Sequence, residues 1–423
     1  MTSRVLTRRN VLIGAGAIAA AGVVLGRKAD HGGGHDQYFQ DLSKALRDAG
    51  IAQPVLVVDK ARLKENVAAV AKTLEGTKLA LRVVVKSLPC TKLIDEISTA
   101  LSVDRFMVFN GAMLQETALR GAEADMLLGK PLPVQAAREF YDAMQAGDVD
   151  FAEPQWLIDS PARLEQYMQL ARERSRPMRV SFEIDVGIHR GGATTPEELL
   201  AMVNAAQTEP RIEISGLMGY DAHVPRVPGV ESAWKSSQSH YAAMADAMRG
   251  ALGDRFEQLV LNSAGSPTYS MHAKGTAANE VAVGSAFVKP TDFDLDTLAH
   301  HVPASFIATP VIKSLPRAQI PALESLTGLR RFMDPNTARA FFIYGGHWLA
   351  KPVSPPGLQF SDLYGRSSNQ ELLTGSASVP LQPDDHVFFR PTQSEAVFLQ
   401  FGDIAVYEGG SIVERWPTFP VSA

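Results

Sequence analysis

Short apolar runs alternate along residues 55–283 with longer stretches that have the periodicity of helices. The runs are rich in Val, Leu and Ile, which is typical of parallel strands buried on both faces. They are Val55–Val58, Leu81–Lys86, Phe106–Phe109, Asp125–Leu128, Trp156–Asp159, Val180–Val186, Gly216–Tyr220, Gln258–Asn262 and Val281–Val283. Eight strand–helix units, counted from the run that ends at Lys86, predict a (β/α)8 barrel of the TIM type. A doubly wound sheet is the alternative, but no Gly-x-Gly-x-x-Gly follows an early strand to form a dinucleotide site.

Beyond about residue 300 the pattern changes to short alternating segments separated by Pro and Gly. The segments Val387–Arg390, Ala396–Phe401, Ile404–Tyr407 and Ser411–Trp416 predict antiparallel strands, with a hairpin turn at residues 408–410. We therefore expect a barrel domain over residues 51–298 and a C-terminal antiparallel β domain over residues 299–423. The run Val55–Val58 is one strand more than the barrel needs, which leaves it free to join the second domain.

The first thirty residues have the pattern of an export signal. Arg8 and Arg9 precede an uncharged run rich in Ala, Gly, Val and Ile that ends at Gly26. The run is shorter than the roughly 20 residues that span a bilayer, and the paired arginines resemble a twin-arginine signal. Residues 1–29 are therefore predicted to direct the folded protein through the twin-arginine export machinery to the periplasm. Because Arg27 and Lys28 follow the run, no cleavage site made of small residues lies directly after it. An uncleaved signal that anchors the protein in the membrane is therefore an alternative.

Residues 30–50 are predicted to be a linker followed by a short helix. The sequence Asp-His-Gly-Gly-Gly-His-Asp at residues 30–36 indicates a flexible spacer, since three consecutive glycines favour a flexible backbone. Its two histidines could bind a metal, but a solvated linker is the favoured interpretation. Residues 37–49 have the pattern of an amphipathic helix that ends at Gly50.

The composition narrows the class of protein further. The chain has 423 residues, 45% of them hydrophobic, and a net charge of −5. These values fit a globular protein with a large core, whereas a nucleic-acid binder usually carries a basic surplus. The single cysteine, Cys90, excludes an intrachain disulfide and a cysteine-based zinc site.

Polar residues with catalytic potential follow the predicted barrel strands, at the ends where barrel enzymes place their active sites. Lys86 ends the first of these strands, and a lysine at the end of a buried strand suits Schiff-base chemistry. The alternative is a lysine that only reaches solvent at the barrel rim. The later strand ends and the loops after them hold Asp185, Arg190, Tyr220, His223, Gly265, Ser266, Gly284 and Ser285. Gly and Ser after the last two strands suit a phosphate group, and together with the lysine and the arginine they indicate pyridoxal 5′-phosphate (PLP).

These motifs resemble those of the alanine-racemase-like, fold type III PLP enzymes, and within them the D-threonine aldolase and D-serine dehydratase group. The resemblance runs from about Gln53 to Trp416. The run Arg-Val-Val-Val-Lys at residues 82–86 is similar to the family's Arg-Pro-His-x-Lys, without its proline and histidine. It implies that Lys86 carries the cofactor. The run Asp-Val-Gly-Ile-His-Arg-Gly-Gly at residues 185–192 is similar to a family motif that places Arg190 at the pyridine nitrogen.

The resemblance extends to the remaining motifs and to the reaction type. Tyr220 and His223 match a Tyr-x-x-His, Gly265 and Ser266 match the phosphate loop, and Glu280, Gly284 and Ser285 match the motif after it. A permanent cation at the pyridine nitrogen keeps that nitrogen unprotonated. The resemblance therefore implies racemisation, retro-aldol cleavage or β-elimination rather than transamination.

The resemblance also implies a divalent metal, which this sequence is poorly equipped to bind. The aldolases and dehydratases hold it in a Pro-x-His-x-Cys-like run, and the matching residues 391–395 are Pro-Thr-Gln-Ser-Glu. Gln393 and Glu395 stand at the ligand positions, where a neutral amide is a poor ligand and one carboxylate seldom holds Zn²⁺. We predict that the usual metal site is lost. His347 in the second domain is a candidate for the acid/base work, with a structural histidine as the alternative.

The sequence as a whole predicts a PLP-dependent lyase that acts on a small D- or β-hydroxy-amino acid by aldol cleavage or β-elimination. Lys86 would hold the cofactor through a Schiff base and move the Cα proton, with Tyr220, His223 or His347 as further acid/base groups. A PLP-dependent racemase is the second hypothesis, because racemisation needs two opposed bases and no metal. A non-catalytic PLP-binding protein is the third. A homodimer is possible by resemblance to the family, and the sequence itself gives no evidence for or against it.

Overall fold

The structure is a computed structural model, and it describes residues 27–362 and 365–421. The predicted twin-arginine motif and the apolar run after it lie outside the described residues. The described chain divides into two compact units. The first, the barrel unit, comprises Leu56–Ser305, Pro391–Glu408 and the end of the chain from Val413. The second, the sheet unit, comprises Phe306–Arg390, the described residues before Leu56, and Gly409–Ile412.

Two elements precede the barrel along the chain, α1 (Gln37–Asp48) and β1 (Val55–Asp59). Asp36 caps α1 by accepting a hydrogen bond from the N–H of Phe39, and Asp59 caps the next helix by accepting from the N–H of Arg62. Every residue of β1 is buried. The apolar composition of this segment therefore gives a strand with both faces covered, as parallel strands usually have.

Within the described residues, eight parallel strands close into a barrel, which confirms the predicted fold. The strands are β2 (Ala80–Val84), β3 (Arg105–Val108), β4 (Asp125–Leu128), β5 (Gln155–Ile158), β6 (Met178–Ile184), β7 (Ile212–Gly219), β8 (Val260–Ser263) and β9 (Glu280–Val283). Closure comes from β2 and β9, with Leu81 opposite Val281. The helices that accompany them are α2 (Lys60–Leu74), α3 (Thr91–Leu101), α4 (Gly111–Ala118), α5 (Val134–Ala146), α6 (Pro161–Arg174), α7 (Pro196–Gln207), α8 (Val230–Leu252) and α9 (Tyr269–His272).

A charged network occupies the barrel interior. The side chains of Arg82 and Glu280 are both fully buried, and Arg82 Nε lies 2.6 Å from Glu280 Oε1. Arg82 Nη2 also contacts Asp125 Oδ2 at 2.5 Å, and Arg105 Nη1 contacts Glu280 Oε2 at 3.0 Å. Buried charges need partners of this kind, because water is not there to solvate them. The network ties β2, β3, β4 and β9 together inside the barrel.

The sheet unit is built mainly from antiparallel pairs. Its elements are β10 (Ser305–Leu315), α10 (Thr327–Met333), β11 (Arg339–Tyr344), β12 (Ala350–Ser354), β13 (Gln359–Phe360), β14 (Gln370–Gly375) and β15 (His386–Pro391). β10 pairs with β11 and β15, and β14 pairs with β11 and β13, all antiparallel. A separate antiparallel sheet was expected after the barrel, and the structure confirms it.

The end of the chain departs from the predicted pattern in two places. Residues 396–401 were expected as a strand, but Glu395–Phe398 forms a short helix, α11. The N–H groups of Val397 and Phe398 both donate to the carbonyl of Ser394, at 3.1 and 2.9 Å. The strand after it, β16 (Asp403–Glu408), is parallel to β1 rather than antiparallel, with Leu56 opposite Ile404. Alternation along a short segment does not reveal its partner, which is why both expectations failed.

The predicted turn at residues 408–410 does follow β16. Gly409 and Gly410 have φ values of 59° and 83°, as a two-residue hairpin turn with positive φ at both positions requires. The last strand, β17 (Ser411–Pro417), comes directly after them. Within residues 27–362 and 365–421, no helix is long and apolar enough to cross a membrane.

Residues 30–36, predicted to be a flexible spacer, are instead held by hydrogen bonds to other residues of the sheet unit. Asn336 Nδ2 donates to the carbonyl of Ala29 at 2.7 Å, and the N–H of His31 donates to Asn336 Oδ1 at 2.8 Å. His35 Nδ1 lies 2.8 Å from Ser354 Oγ. Because these partners lie more than 300 residues away in sequence, the glycine-rich composition gave no sign of them.

Candidate active site

A cavity of about 480 Å³ lies within the barrel unit, at the carboxyl ends of the strands. Its size falls within the usual range for a small-molecule site. It is bordered by the barrel-unit residues that the sequence singled out for PLP, namely Lys86, Arg190, Tyr220, His223, Gly265, Ser266, Gly284 and Ser285. The closed barrel brings these positions together, because all its strands run in the same direction and end at the same rim.

Lys86 lies just after β2, in a short 3₁₀ turn over Val85–Ser87. Its side chain is 35% exposed, and its ammonium group is 3.5 Å from Oε1 of Glu395. The same nitrogen lies 4.7 Å from the centre of the Phe109 ring. A carboxylate and an aromatic face therefore hold the amine at the cavity wall, within reach of a ligand inside.

The loop after β6 is shaped by Asp185. Its Oδ1 accepts hydrogen bonds from the N–H groups of Gly187 at 2.8 Å and His189 at 3.0 Å. Burial opposes the charge on Asp185, but these hydrogen bonds outweigh it and lower the pKa of the carboxyl. Gly192 has a φ of 88°, and a Cβ there would lie 2.6 Å from the carbonyl oxygen of Glu183. These constraints explain the spacing of the Asp and Gly residues around Arg190.

Arg190 reaches the cavity from this loop. Its Nη2 is 3.3 Å from Oε1 of Glu183, and its Cζ is 4.7 Å from the centre of the Tyr220 ring. Burial raises the pKa of Glu183, while the neighbouring Arg190 opposes that shift. The guanidinium therefore occupies a fixed position between a carboxylate and an aromatic ring, with 46% of its side chain exposed.

Tyr220 and His223 follow β7. Burial raises the pKa of the Tyr220 phenol above its ordinary value, so the phenol keeps its proton at neutral pH. Among the described residues, nothing forms a hydrogen bond with Nδ1 of His223, although that atom is buried. Buried polar atoms without a partner are uncommon, and His223 as a residue borders the cavity.

The loops after β8 and β9 form a cradle with little room for side chains. A Cβ on Gly265 would lie 2.6 Å from a ring carbon of Tyr220, and one on Gly284 would lie 2.7 Å from Cβ of Val84. Ser266 Oγ accepts hydrogen bonds from the N–H groups of Gly284 at 3.1 Å and Ala286 at 2.9 Å. The Ser285 hydroxyl is 2.9 Å from that of Ser87. Glycines, hydroxyls and converging amides are the usual elements of a phosphate site.

These residues fit PLP. The cavity offers an amine, a fixed guanidinium, a glycine- and serine-lined cradle for a phosphate ester, and a buried imidazole nitrogen that lacks a partner in the described chain. Lys86 would hold the aldehyde carbon, and Ser266 and Ser285 would face the phosphate. Arg190 would face the ring. When bound, PLP supplies an electron sink for charge that develops at the substrate's Cα.

The two positions that resemble metal-ligand positions also border the cavity. Gln393 Nε2 donates to Oδ2 of Asp292 at 3.2 Å, and Glu395 is the partner of Lys86. The described part of the chain has no group of three or more His, Cys, Asp or Glu side chains arranged to hold a metal. A neutral amide and a carboxylate that faces an ammonium group are a donor set that does not fit Zn²⁺.

His347 belongs to the sheet unit. It follows Gly345 and Gly346 with a φ of 58°, and its N–H donates to Oε2 of Glu371 at 2.7 Å. The backbone interaction gives this residue a structural role in its own unit. Its predicted acid/base role stays a prediction.

Several cavity residues were missed by the sequence reasoning. Ser87, Phe109, Arg226 and Asp292 border the cavity, and Arg226 Nη2 donates to the carbonyl of Asp292 at 2.8 Å. Ser87 is adjacent to Lys86, so its position in the sequence was a usable signal. Arg226 and Asp292 lie in short 3₁₀ helices after β7 and β9, which are too short for the sequence pattern to show which way a side chain points.

The closed barrel has, at the carboxyl ends of its strands, a cavity whose residues fit PLP. Residues 58–291 match the alanine racemase N-terminal domain family, and the chain belongs to that family, whose members use PLP. Among curated proteins, the comparison found no match.

Solved structures with the same fold include enzymes of three activities. D-threo-3-hydroxyaspartate dehydratase from Delftia sp. HT23 superposes with a TM-score of 0.68 at 15% identity, over 87% of this chain and 98% of its own. D-threonine aldolase from Filomicrobium marinum gives a TM-score of 0.69 at 15% identity, over 87% and 95%. Alanine racemase from Bacillus anthracis gives 0.65 at 12% identity, over 86% and 98%. At these identities the likeness shows a shared fold and nothing beyond it.

Proposed function

We propose that this chain is a PLP-dependent lyase that cleaves or dehydrates a small D- or β-hydroxy-amino acid. The observation that carries the proposal is the pairing of Lys86 with Glu395 at 3.5 Å, in a cavity that also holds a phosphate-type cradle. An amine and a carboxylate side by side can act on two neighbouring atoms of one substrate, Cα and the β-hydroxyl. The names of the aldolase and the dehydratase with the same fold specify substrates of this kind, D-threonine and D-threo-3-hydroxyaspartate.

The residues divide the work by position. Lys86 holds the cofactor and moves the proton at Cα. In aldol cleavage Glu395 accepts the proton of the β-hydroxyl, and in dehydration it passes a proton to that hydroxyl, which leaves as water. Arg190 is a permanent cation that orients the ring from a fixed position between Glu183 and Tyr220. Ser266 and Ser285 hold the phosphate.

Racemisation is the second candidate, and His223 favours it. Its buried Nδ1 lacks a hydrogen-bond partner among the described residues, and His223 borders the same cavity as Lys86. Racemisation needs a second acid/base group opposite the first, and an imidazole at the cavity is a suitable type of side chain. The alanine racemase with the same fold is named for this reaction.

The experiment uses the purified full chain loaded with PLP. It is incubated with D-threonine, D-serine and L-alanine, with and without EDTA, and the aldehyde, keto-acid and enantiomer products are measured. We expect glycine and aldehyde, or a keto acid and ammonia, and turnover that survives EDTA. Enantiomer formation without cleavage would support the racemase instead. PLP binding without turnover of any of these substrates would leave the non-catalytic PLP-binding role.

We also propose that the chain is exported by the twin-arginine pathway, as supported by Arg8, Arg9 and the apolar run that ends at Gly26. Periplasmic fractionation of cells that express the native chain or the Arg8→Lys/Arg9→Lys variant tests this. The native chain is expected outside the cytoplasm and the variant inside. Equal distribution of both would reject the export proposal.

A further inference from the structure

The segment around α10 leaves an unusual amount of apolar surface uncovered. Leu323, Leu326, Leu329 and Phe332 are 52%, 46%, 57% and 44% exposed. No residue of α10 is buried. Amphipathic helices of globular proteins normally turn such side chains towards a core, so this arrangement calls for another partner.

These four side chains lie on one side of the segment. They follow one another at intervals of three residues, and at 3.6 residues per turn the last three fall within an arc of about 120°. We name the set of Leu323, Leu326, Leu329 and Phe332 the apolar face. A continuous apolar face on an otherwise polar segment is the geometry of helices that lie in a membrane interface.

The described chain begins directly at this face. The guanidinium carbon of Arg27 lies 5.3 Å from the centre of the Phe332 ring. The N–H of Lys28 donates to the carbonyl of Met333 at 2.8 Å, and Lys28 Nζ contacts Asp334 Oδ2 at 2.8 Å. Residues 11–26, which precede Arg27, contain no charged residue. Arg27 and Lys28 therefore place two basic groups beside the apolar face.

The charges around the face favour an anionic surface. Arg27, Lys28, Arg330 and Arg331 are basic, whereas Glu324 and Asp334 are the acidic residues in the same two stretches, 27–28 and 323–334. Asp362 also acts on Lys28, so four basic groups stand against three acidic ones, whereas the whole chain has a net charge of −5. Basic residues beside an inserted apolar face attract anionic lipid headgroups.

We propose that the apolar face inserts into the interface of an anionic lipid bilayer. This insertion would hold the sheet unit against the membrane surface. This inference goes beyond the proposed reaction and does not depend on PLP chemistry.

The test attaches an environment-sensitive fluorophore to the face of the full-length chain. The one native cysteine, Cys90, is buried, so a cysteine introduced by Leu329→Cys is labelled selectively. The matched control is Leu119→Cys, since Leu119 is 61% exposed and lies in the barrel unit. Vesicles of phosphatidylcholine alone are compared with vesicles that contain equal amounts of phosphatidylcholine and phosphatidylglycerol.

With the anionic vesicles, the probe at residue 329 is expected to shift its emission to shorter wavelengths and to brighten by about twofold or more. Lipids with a quencher on the acyl chain should quench it, while the probe at residue 119 stays unchanged. Arg330→Gln/Arg331→Gln should weaken the response of the probe at residue 329.

Three results would overturn the proposal. The first is an equal response, or no response, at residues 329 and 119. The second is a shifted emission at residue 329 without vesicles and at every protein concentration, because the chain's own N-terminal run would then cover the face. The third is a shift without vesicles that grows with protein concentration, which would assign the face to a second copy of the chain.

Discussion

Glu280→Gln removes one charge from the network inside the barrel and keeps the size of the side chain. Glu280 accepts hydrogen bonds from Arg82 Nε at 2.6 Å and Nη2 at 3.0 Å, from Arg105 at 3.0 Å, and from Asn262 at 2.8 Å. Burial disfavours the charge of Arg82, but Glu280 and Asp125 outweigh burial and raise its pKa further. The substitution leaves the fully buried Arg82 with one carboxylate, Asp125, whose side chain is 26% exposed.

The expected cost follows from the burial of both groups. Removing one partner of a buried ion pair costs about 3–5 kcal/mol, because the remaining charge stays desolvated. In a domain of the size of the barrel unit, each kcal/mol lowers Tm by about 2–4 °C, which gives a decrease of roughly 6–20 °C. Glutamine also turns N–H donors towards Arg105 and Asn262, which already donate at this site.

Urea and thermal unfolding, followed by tryptophan fluorescence, measure this effect. The matched control is Glu257→Gln, since Glu257 is 77% exposed and 3.7 Å from Arg249, and its cost should stay below about 0.5 kcal/mol. A loss below about 1 kcal/mol for Glu280→Gln would refute the stabilising role of the network.

Three further predictions concern the cradle, the acid/base group and the pH dependence of stability. Gly265→Ala should weaken PLP binding at least about tenfold in an absorbance titration, because its Cβ would lie 2.6 Å from a Tyr220 ring carbon. Glu395→Gln should lower turnover of β-hydroxy-amino acids by about 100-fold and keep PLP binding, with partial activity in Glu395→Asp. Burial lowers the pKa of His386 from 6.5 to about 4. Between these two pH values the unfolded state therefore binds more protons than the folded state. The free energy of unfolding should fall by up to about 3 kcal/mol as the pH falls from 6.5 to 4. His386→Gln should flatten that dependence in urea unfolding.

Each of these predictions has a control and a contradicting result. Gly250→Ala has open space around the new Cβ and should bind PLP normally, whereas equal binding by Gly265→Ala would contradict the cradle. Full turnover in Glu395→Gln would remove Glu395 from the mechanism. His240→Gln changes an exposed histidine, and an unchanged pH dependence in His386→Gln would show that other groups cause the effect.

The sequence predicted the barrel closely because its strands carry local signals. The run Asp125–Leu128 was predicted with the boundaries of β4, and the other barrel runs differ from the observed strands at one or both ends. Buried parallel strands are apolar along their whole length, which makes them visible without knowledge of their partners. The positions after them, such as Lys86 and Ser266, follow from chain direction in a closed barrel.

The features that were missed depend on distant contacts. The pairing of β16 with β1 joins segments almost 350 residues apart, and residues 30–36 contact Asn336 and Ser354, each more than 300 residues away. The contact of Glu395 with Lys86 likewise required the structure, since the sequence presented Glu395 as a poor metal ligand. Local periodicity carries no information about such partners.

The attachment of PLP to Lys86 tests the central claim most directly. The purified full chain is incubated with PLP, reduced with borohydride and digested, and the peptides are analysed by mass spectrometry. We expect the phosphopyridoxyl group on the peptide that contains Lys86, and no visible cofactor band in Lys86→Ala. A modification spread over surface lysines, or a Lys86→Ala variant that retains the native cofactor spectrum, would contradict the assignment of the active site.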